Sequence, residues 1–578
     1  MSSVIDAESF LAIDIGSTTT RALLFDVVDG TYHFLAAGSA PSTWAAPFHD
    51  VGEGVHLALT RLQEITSRPI MDEGSRLILP TRPDGSGVDR LALTLSAGND
   101  VRMVVIGLLE EVSLASARRL ATTTYGKIVE SLGLNDHRRQ DAQLDALLQA
   151  SADFFILAGG TEKGATRSVS KLVELVLLAL KTMRSESRPR ILYCGNQALT
   201  KKLKEVLSRY TEVFAAPNIR PTFDQEDLAP AADALAKMTV SLRGQQFGGL
   251  SALGQLTAAP VLPTATATLR LVRFLSELYD PAKGVLGVEV GSHATYLAGA
   301  IGGRERLKVF RSLGNGLGMQ GTLEHISPAD VARWVPMEVS VQEVEDYLWQ
   351  KSLYPATIPA TTTTLAIEQG LVREILRYAA QAFQEDYPDC AMTFEPIFAG
   401  GAALAQAGSP VQSLLMLLDG LQPTGVSTLF LDPYGLMPAL GAIAAANQLL
   451  PVQILESGAF QNLGAVICPV SDAKPGTVIL KARLVYEDGN EVKMEIRQGS
   501  LVPLPIRHGQ TARLYLEAMR GTEIDPRRKT AGGFKIVGGL CGAVIDARGR
   551  PLSLPAEPNR RRELLLRWTQ ALETRRPV

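Results

Sequence analysis

The stretch F-L-A-I-D-I-G-S-T-T-T-R-A-L-L-F-D, residues 10 to 26, sets Asp14 inside an apolar strand and follows it with Gly16, a run of hydroxyl side chains and Arg21. A carboxylate in such a strand is costly unless something answers its charge. The neighbouring residue types suit a phosphate with its metal ion. Gly16 lets the backbone approach an anion, Ser17, Thr18 and Thr19 offer amides and hydroxyls, and Asp14 can orient the waters of magnesium.

The pattern occurs twice. G-V-L-G-V-E-V-G-S-H-A-T-Y-L-A-G-A, residues 284 to 300, again places an acid in an apolar strand before a glycine, and a shift of 275 puts Glu289 on Asp14, Gly291 on Gly16, Ser292 on Ser17 and Thr295 on Thr20. Each copy continues to a tight turn, Asp29-Gly30 or Gly302-Gly303, and a third strand. Two such units facing each other can hold a polyphosphate from both sides, with Asp14 and Glu289 at the metal. A third element, F-E-P-I-F-A-G-G-A-A-L (394 to 404), ends an apolar strand in Gly400-Gly401, where bare backbone can lie against a flat ring. His293 is open to two readings, a phosphate or metal contact and an ordinary structural histidine.

The elements that must position these residues read as mixed α/β. Residues 1–150 alternate apolar runs with helical patterns such as 108 to 132, and residues 151–261 hold two strand-turn-helix units, F-F-I-L-A-G-G-T-E-K-G (154 to 164) and I-L-Y-C-G-N (191 to 196), which imply a small parallel sheet. Residues 262–455 carry the second acid-glycine unit, helix starts at S-P-A-D (327 to 330) and S-V-Q-E (340 to 343), and a longer helix near 365 to 383. From 456 the texture turns to alternating strands, and a separate β domain with a terminal helix is expected. That tail holds 20 Lys and Arg against 13 Asp and Glu, a net of +7 that leaves −10 for the remainder. Arg560, Arg561, Arg562, Arg567, Arg575 and Arg576 contribute most of it, either as a solvated helix face or as an anionic docking surface.

Across 578 residues the net charge of −3 points to no global field for nucleic acid or membrane. Four dispersed cysteines without a zinc-like spacing favour a reducing cytoplasm, and the absence of an 18-residue apolar run or a signal-like start reads as a soluble, unexported chain.

The order D-I-G-S-T-T-T-R, second acid-glycine hairpin, strand ending in Gly-Gly, then D-P-Y-G-L-M-P-A-L-G-A (432 to 442) resembles the actin-like ATPase superfamily of actin, Hsp70 and sugar kinases. With S-A-G-N-D-V-R-M-V-V-I-G-L (96 to 108) and I-L-A-G-G-T-E-K-G, residues 10 to 455 look like the glutamate mutase L family. The resemblance implies a two-lobed fold of duplicated ribonuclease H-like domains, with an inserted α/β segment and a C-terminal mainly-β domain. It implies ATP on Gly16 to Thr19 and Arg21 in one lobe and on Gly291, Ser292 and His293 in the other. Asp14 and Glu289 would stand at magnesium, Gly400 and Gly401 behind the adenosine, and Ala439, Gly441 and Ala442 in a close helix crossing. It also implies a protein client of the class of adenosylcobalamin-dependent mutases, served by a reactivating chaperone in the cytoplasm.

The sequence departs from the family at E-V-G-S-H-A-T-Y, where a pattern like D-V-G-G-A-T-T-D is usual. Glu289 is longer, Ser292 and His293 are bulkier, and Tyr296 replaces an acid, so slow or absent hydrolysis is expected. A non-catalytic nucleotide-binding scaffold or a self-associating filament is the alternative, and a small-molecule kinase the third reading.

Overall fold

The structure, a computed structural model, describes residues 8–162, 164–390, 392–525 and 533–574. Lys163 of the glycine-rich turn, Arg575 and Arg576 of the arginine run, and the first seven residues lie outside the described residues. Two sheets repeat one plan. In the first, β1 (Phe10–Ile15) pairs antiparallel with β2 (Thr19–Val28), β2 with β3 (Thr31–Pro41), and β1 parallel with β4 (Arg90–Leu95).

The chain then leaves this lobe to build an inserted parallel sheet. Its strands β5 (Val101–Ile106), β6 (Gly126–Leu132), β7 (Phe154–Leu157), β8 (Arg190–Tyr193) and β9 (Val213–Ala215) lie in the order β6-β5-β7-β8-β9. Both expected strand-turn-helix units are present, but the insert begins near 101 rather than 151, because β5 pairs with β6 and β7 and not with β4. The expected helix over 108 to 132 is correspondingly short. A single π turn and a helix run Glu110–Ala121, and then T-T-T-Y-G breaks the helix before β6.

The chain returns at β10 (Leu262–Pro263), which pairs parallel with β4 and completes the order β10-β4-β1-β2-β3. The second lobe repeats it. β11 (Val285–Val290) pairs antiparallel with β12 (Thr295–Ile301), β12 with β13 (Arg304–Phe310), β11 parallel with β14 (Ile397–Gly400), and β14 with β15 (Gly425–Asp432). The third-strand turns match as well: Asp29 and Gly30 have φ of 51° and 79°, Gly302 and Gly303 of 53° and 77°. Positive φ at both turn positions suits the right-handed twist of the flanking strands. This is the two-lobed, duplicated actin-like fold that the motif order implies.

The lobes share a core. Helices Thr264–Leu278 and Leu436–Ile443 lie between the sheets, packing Leu271, Val272, Met437 and Leu440 with Phe10 and Ala12 of one sheet and Val285 and Phe398 of the other. A Cβ on Gly441 would stand 1.8 Å from the carbonyl oxygen of Ala267, so the close crossing expected there requires glycine. Ser340 and Glu343 form the expected capping box, and the long helix runs Thr362–Asp386.

The tail is mainly β, as expected, but it is not free-standing. β16 (Gln461–Cys468) pairs antiparallel with β15 and so extends the second lobe's own sheet. After β17 (Val470–Ser471), β18 (Val478–Tyr486), β19 (Glu491–Arg497), β20 (Leu501–Leu504), β21 (Thr511–Ala518), β22 (Thr522–Glu523) and β23 (Phe534–Val537) comes β24 (Ala543–Asp546), which pairs with β16 and β20. The large sheet therefore has eight strands, and the tail's own sheets are the four strands β18, β19, β21 and β23 and the short pair β17 and β22. The terminal helix Pro558–Glu573 buries Leu565, Trp568 and Leu572 in the second lobe's core, against the helix Pro410–Gly420, rather than on the tail sheet alone. Arg561 donates to the carbonyls of Pro555 and Ala556 and so serves the helix start. No described helix is long and apolar enough to cross a membrane.

Candidate functional site

The two acid-glycine turns have the same geometry. Gly16 N–H donates to the Thr19 carbonyl at 3.0 Å and Gly291 N–H to the Ala294 carbonyl at 3.0 Å. A Cβ would stand 2.6 Å from the first of these oxygens and 2.7 Å from the second, so both turns exclude any larger residue for one reason. Their carbonyls are held from behind: Ser42 Oγ donates to Gly16 O, Trp44 Nε1 to Ser17 O, Asn315 N to Gly291 O, and Gly316 N and Gly318 N to Ser292 O. The amides of Ser17, Thr18, Ser292 and His293 make no hydrogen bond among the described residues. Both turns line one cavity of about 370 Å³. Two sets of partnerless amides facing a shared space are suited to an anion.

The acids stand below the turns. Asp14 is buried, and its Oδ1 accepts from Thr94 Oγ1 at 2.6 Å on the paired strand and from Thr264 Oγ1 at 2.8 Å at the start of the interlobe helix. Glu289 Oε2 accepts from the Tyr296 hydroxyl at 2.6 Å, and that hydroxyl also meets Thr268 Oγ1 at 2.8 Å. Tyr296, the residue in place of the family's acid, is thus a buried hydrogen-bond partner of the glutamate. Burial and then the Asp14 charge push Glu289 up to about 7. Asp432, at the end of β15, is raised by burial, while the backbone amides of Tyr434, Gly435, Leu436 and Met437 that it caps oppose the shift.

Cations complete the lining. Arg21, Arg311 and Lys351 face the cavity, and Arg21 makes no ion pair among the described residues. Thr18 Oγ1 is buried without a partner. Ser292 Oγ accepts from the Leu317 amide, so it is turned into the 314 to 318 loop. Ser96, Asn99, Asp100 and Thr264 continue the lining on the first lobe's side, and most of the remainder belongs to the second lobe. There Lys351 and Glu368 pair at 3.3 Å, Tyr347 donates to Glu368, and Pro359, Leu365, Gln369 and Gln406 add an apolar and amide surface.

Of the residues singled out from sequence, Asp14, Gly16, Ser17, Thr18, Thr19, Arg21, Glu289, Gly291, Ser292, His293 and Gly401 line this cavity, and Gly400 does not. Gly401 has φ of 106°, and a Cβ there would meet the Val290 carbonyl oxygen at 2.1 Å. Its missing side chain is demanded first by the adjoining strand. Sequence reasoning missed Asp100, Thr264, Arg311, Asn315 and the Lys351–Glu368 pair. Only G-N-G-L-G at 314 to 318 carried a local signal, three glycines that each pass close to Ser292 or His293 backbone or side chain.

The family model described as MutL protein matches residues 10–458, most of the chain. This chain belongs to the MutL family, that of glutamate mutase L. No curated protein sequence matches it. Among solved structures, this MutL family member is similar to a nucleotide-free acetone carboxylase at 12% identity, with 85% of this chain and 81% of that chain covered and a TM-score of 0.36. It is also similar to the ethanolamine utilization protein EutJ from Carboxydothermus hydrogenoformans, at 8% identity, 76% and 90% coverage and a TM-score of 0.28. A third is component A of (R)-2-hydroxyglutaryl-CoA dehydratase from Acidaminococcus fermentans, at 9% identity, 75% and 96% coverage and a TM-score of 0.24. At such scores these likenesses assign no function to the MutL family member.

Proposed function

We propose that this MutL family member binds magnesium-ATP between its lobes and acts as an accessory protein whose opening and closing is used on a protein client. The observation that carries the reading is the pair of identically closed turns whose free amides face one cavity beside the unpaired Arg21. The turns of residues 16–19 and 291–293 would hold the β- and γ-phosphates, Arg21 would add charge, and the recess around Leu365, Gln369, Gly401 and Gln406 would take the adenosine, with Lys351 and Glu368 at the ribose. Among the described residues no group of three or more His, Cys, Asp or Glu could hold a metal ion. That fits an ion carried in on phosphate and water, with Asp14, whose Oδ1 is fixed by two threonines, orienting it from one side and Glu289 from the other. Magnesium would supply neutralisation of phosphate charge.

Hydrolysis in this reading is slow. Of the other carboxylates on the lining, Glu289 is engaged by Tyr296 and Glu368 by Lys351, and Asp100 is held by Arg311 until nucleotide arrives, so none is fixed in advance as a base for water. A cytoplasmic client, a cobalamin-dependent mutase, is the partner the family membership favours, and binding without turnover, as a scaffold or filament, is the variant that the engaged carboxylates favour.

Calorimetry with magnesium-ATP tests the site: the parent protein should bind, and Asp14→Ala should bind at least about tenfold more weakly, the loss of one charge-assisted contact. Equal binding by the two proteins removes the assignment. Phosphate release near the ~10 per second of a median enzyme would contradict slow hydrolysis.

A further inference from the structure

Above the two turns one carboxylate crosses from lobe to lobe. Asp100 lies in S-A-G-N-D, between β4 and β5, and is ion-paired with Arg311 Nη1, while His293 Nε2 lies 3.7 Å from its Oδ1. Arg311 directly follows β13 and His293 is at the tip of the second turn, so both partners belong to the second lobe. All three line the cavity, and among its described carboxylates only Asp100 is ion-paired with an arginine of the opposite lobe. Beneath it, Arg243 is 2% exposed, donates to the Asn99 carbonyl and the Gln246 side chain, and makes no ion pair among the described residues. Burial and then Arg243 hold His293 below its usual value, so the ring faces Asp100 mainly neutral and Arg311 supplies the charge.

The Asp100 and Arg311 side chains are 27% and 22% exposed. A pair so hydrated is weakly held, whereas a phosphate brings more charge and more acceptor oxygens to the same guanidinium.

We propose that Asp100 is an internal substitute for the outermost phosphate of a nucleoside triphosphate: that phosphate takes Arg311 from Asp100, which breaks the tie between the lobes and makes Arg311 the residue that tells triphosphate from diphosphate. The inference rests on the nucleotide reading above and names the residue that reads phosphate number there.

The test compares affinities for magnesium-ATP and magnesium-ADP by calorimetry in the full chain. Asp100→Asn removes the competitor and should raise the ATP-to-ADP affinity ratio about threefold, the size of a partly exposed ion pair. Arg311→Gln should lower that ratio about tenfold, and in its background Asp100→Asn should have no further effect. Arg311→Lys, which keeps the charge, should lower the ratio less, and it replaces the Gln variant if that one does not fold. A parent protein that binds neither nucleotide overturns the nucleotide reading and this inference with it. A parent that binds ATP with a ratio indifferent to both substitutions, or an Asp100→Asn effect that persists without Arg311, overturns this inference alone.

Discussion

Glu289 shows how a partly buried acid can work against the fold that contains it. Its carboxyl is pushed up to about 7 by burial and by Asp14, although Tyr296 donates to it. In the unfolded chain it would titrate near its ordinary ~4.3. Between those two values the folded protein binds the proton and the unfolded chain does not, so stability falls as pH rises through that window. In metal-free protein the melting temperature should therefore drop from pH 5 to pH 7.5 more steeply in the parent than in Glu289→Gln, which keeps the acceptor for Tyr296 and carries no charge. Parallel curves would show that Glu289 ionises in the folded state as it does in the unfolded chain. In sequence Tyr296 reads only as the loss of an acid, and pairing of β11 with β12 sets it beside Glu289 and turns that replacement into a hydrogen bond.

Among elements, the two interlobe helices decide whether the turns face each other. Gly441 on one meets the Ala267 carbonyl on the other, and Thr264 at the start of the latter holds Asp14. Gly441→Ala would force the helices apart and cost about 1–3 kcal/mol, as overpacking does. Because the lobes would move with the helices, magnesium-ATP affinity should fall together with the denaturation midpoint. A variant that loses stability while keeping full affinity would uncouple the crossing from the site. Such helices are legible from small residues in P-A-L-G-A, but the partner against which they close is not, since Ala267 lies 174 positions earlier.

For the molecule as a whole, the tail behaves as part of the second lobe. Arg548 pairs with Asp546 at 2.8 Å and with Asp419 at 2.7 Å, Arg373 pairs with Asp419 at 2.8 Å, and Trp568 of the terminal helix lies over Arg548. Truncation after Leu455 would expose the edge of β15 and leave Asp419 and Arg373 without Arg548, so the shortened chain should be insoluble or unfolded. A soluble, ATP-binding product would show that the sheet tolerates the loss. Arg548→Ala should cost about 3–5 kcal/mol in chemical denaturation, because it strands buried carboxylates. Burial opposes ionisation of Asp546, yet Arg548 and Arg550 hold it well below the usual carboxylate range. A depressed folded value contributes stability above the unfolded value of about 3.9, which is lost as pH falls further. Acid should therefore loosen the tail, and tryptophan emission at Trp568 should report it in a variant whose other three tryptophans are replaced by phenylalanine.

Local chemistry was sufficient for the repeated turns. Asp14, Gly16 and Glu289, Gly291 are neighbours in sequence, and a glycine two residues after a strand acid is constrained by its own hairpin, so fold class and the two turns that face the cavity could be read without coordinates. Gly401 could be singled out but its reason could not, because the atom that excludes a side chain, Val290 O, belongs to another strand. Asp100, Arg311 and Lys351 carry no local signature, and the continuity of β15 into β16 was hidden behind a change in composition and charge at the same place. Composition records which residues a segment spends on its own faces. Which edge it pairs with, and which charge from a distant segment answers its own, is settled only when non-local strands and lobes are brought together, since those contacts are made by parts of the chain hundreds of residues apart.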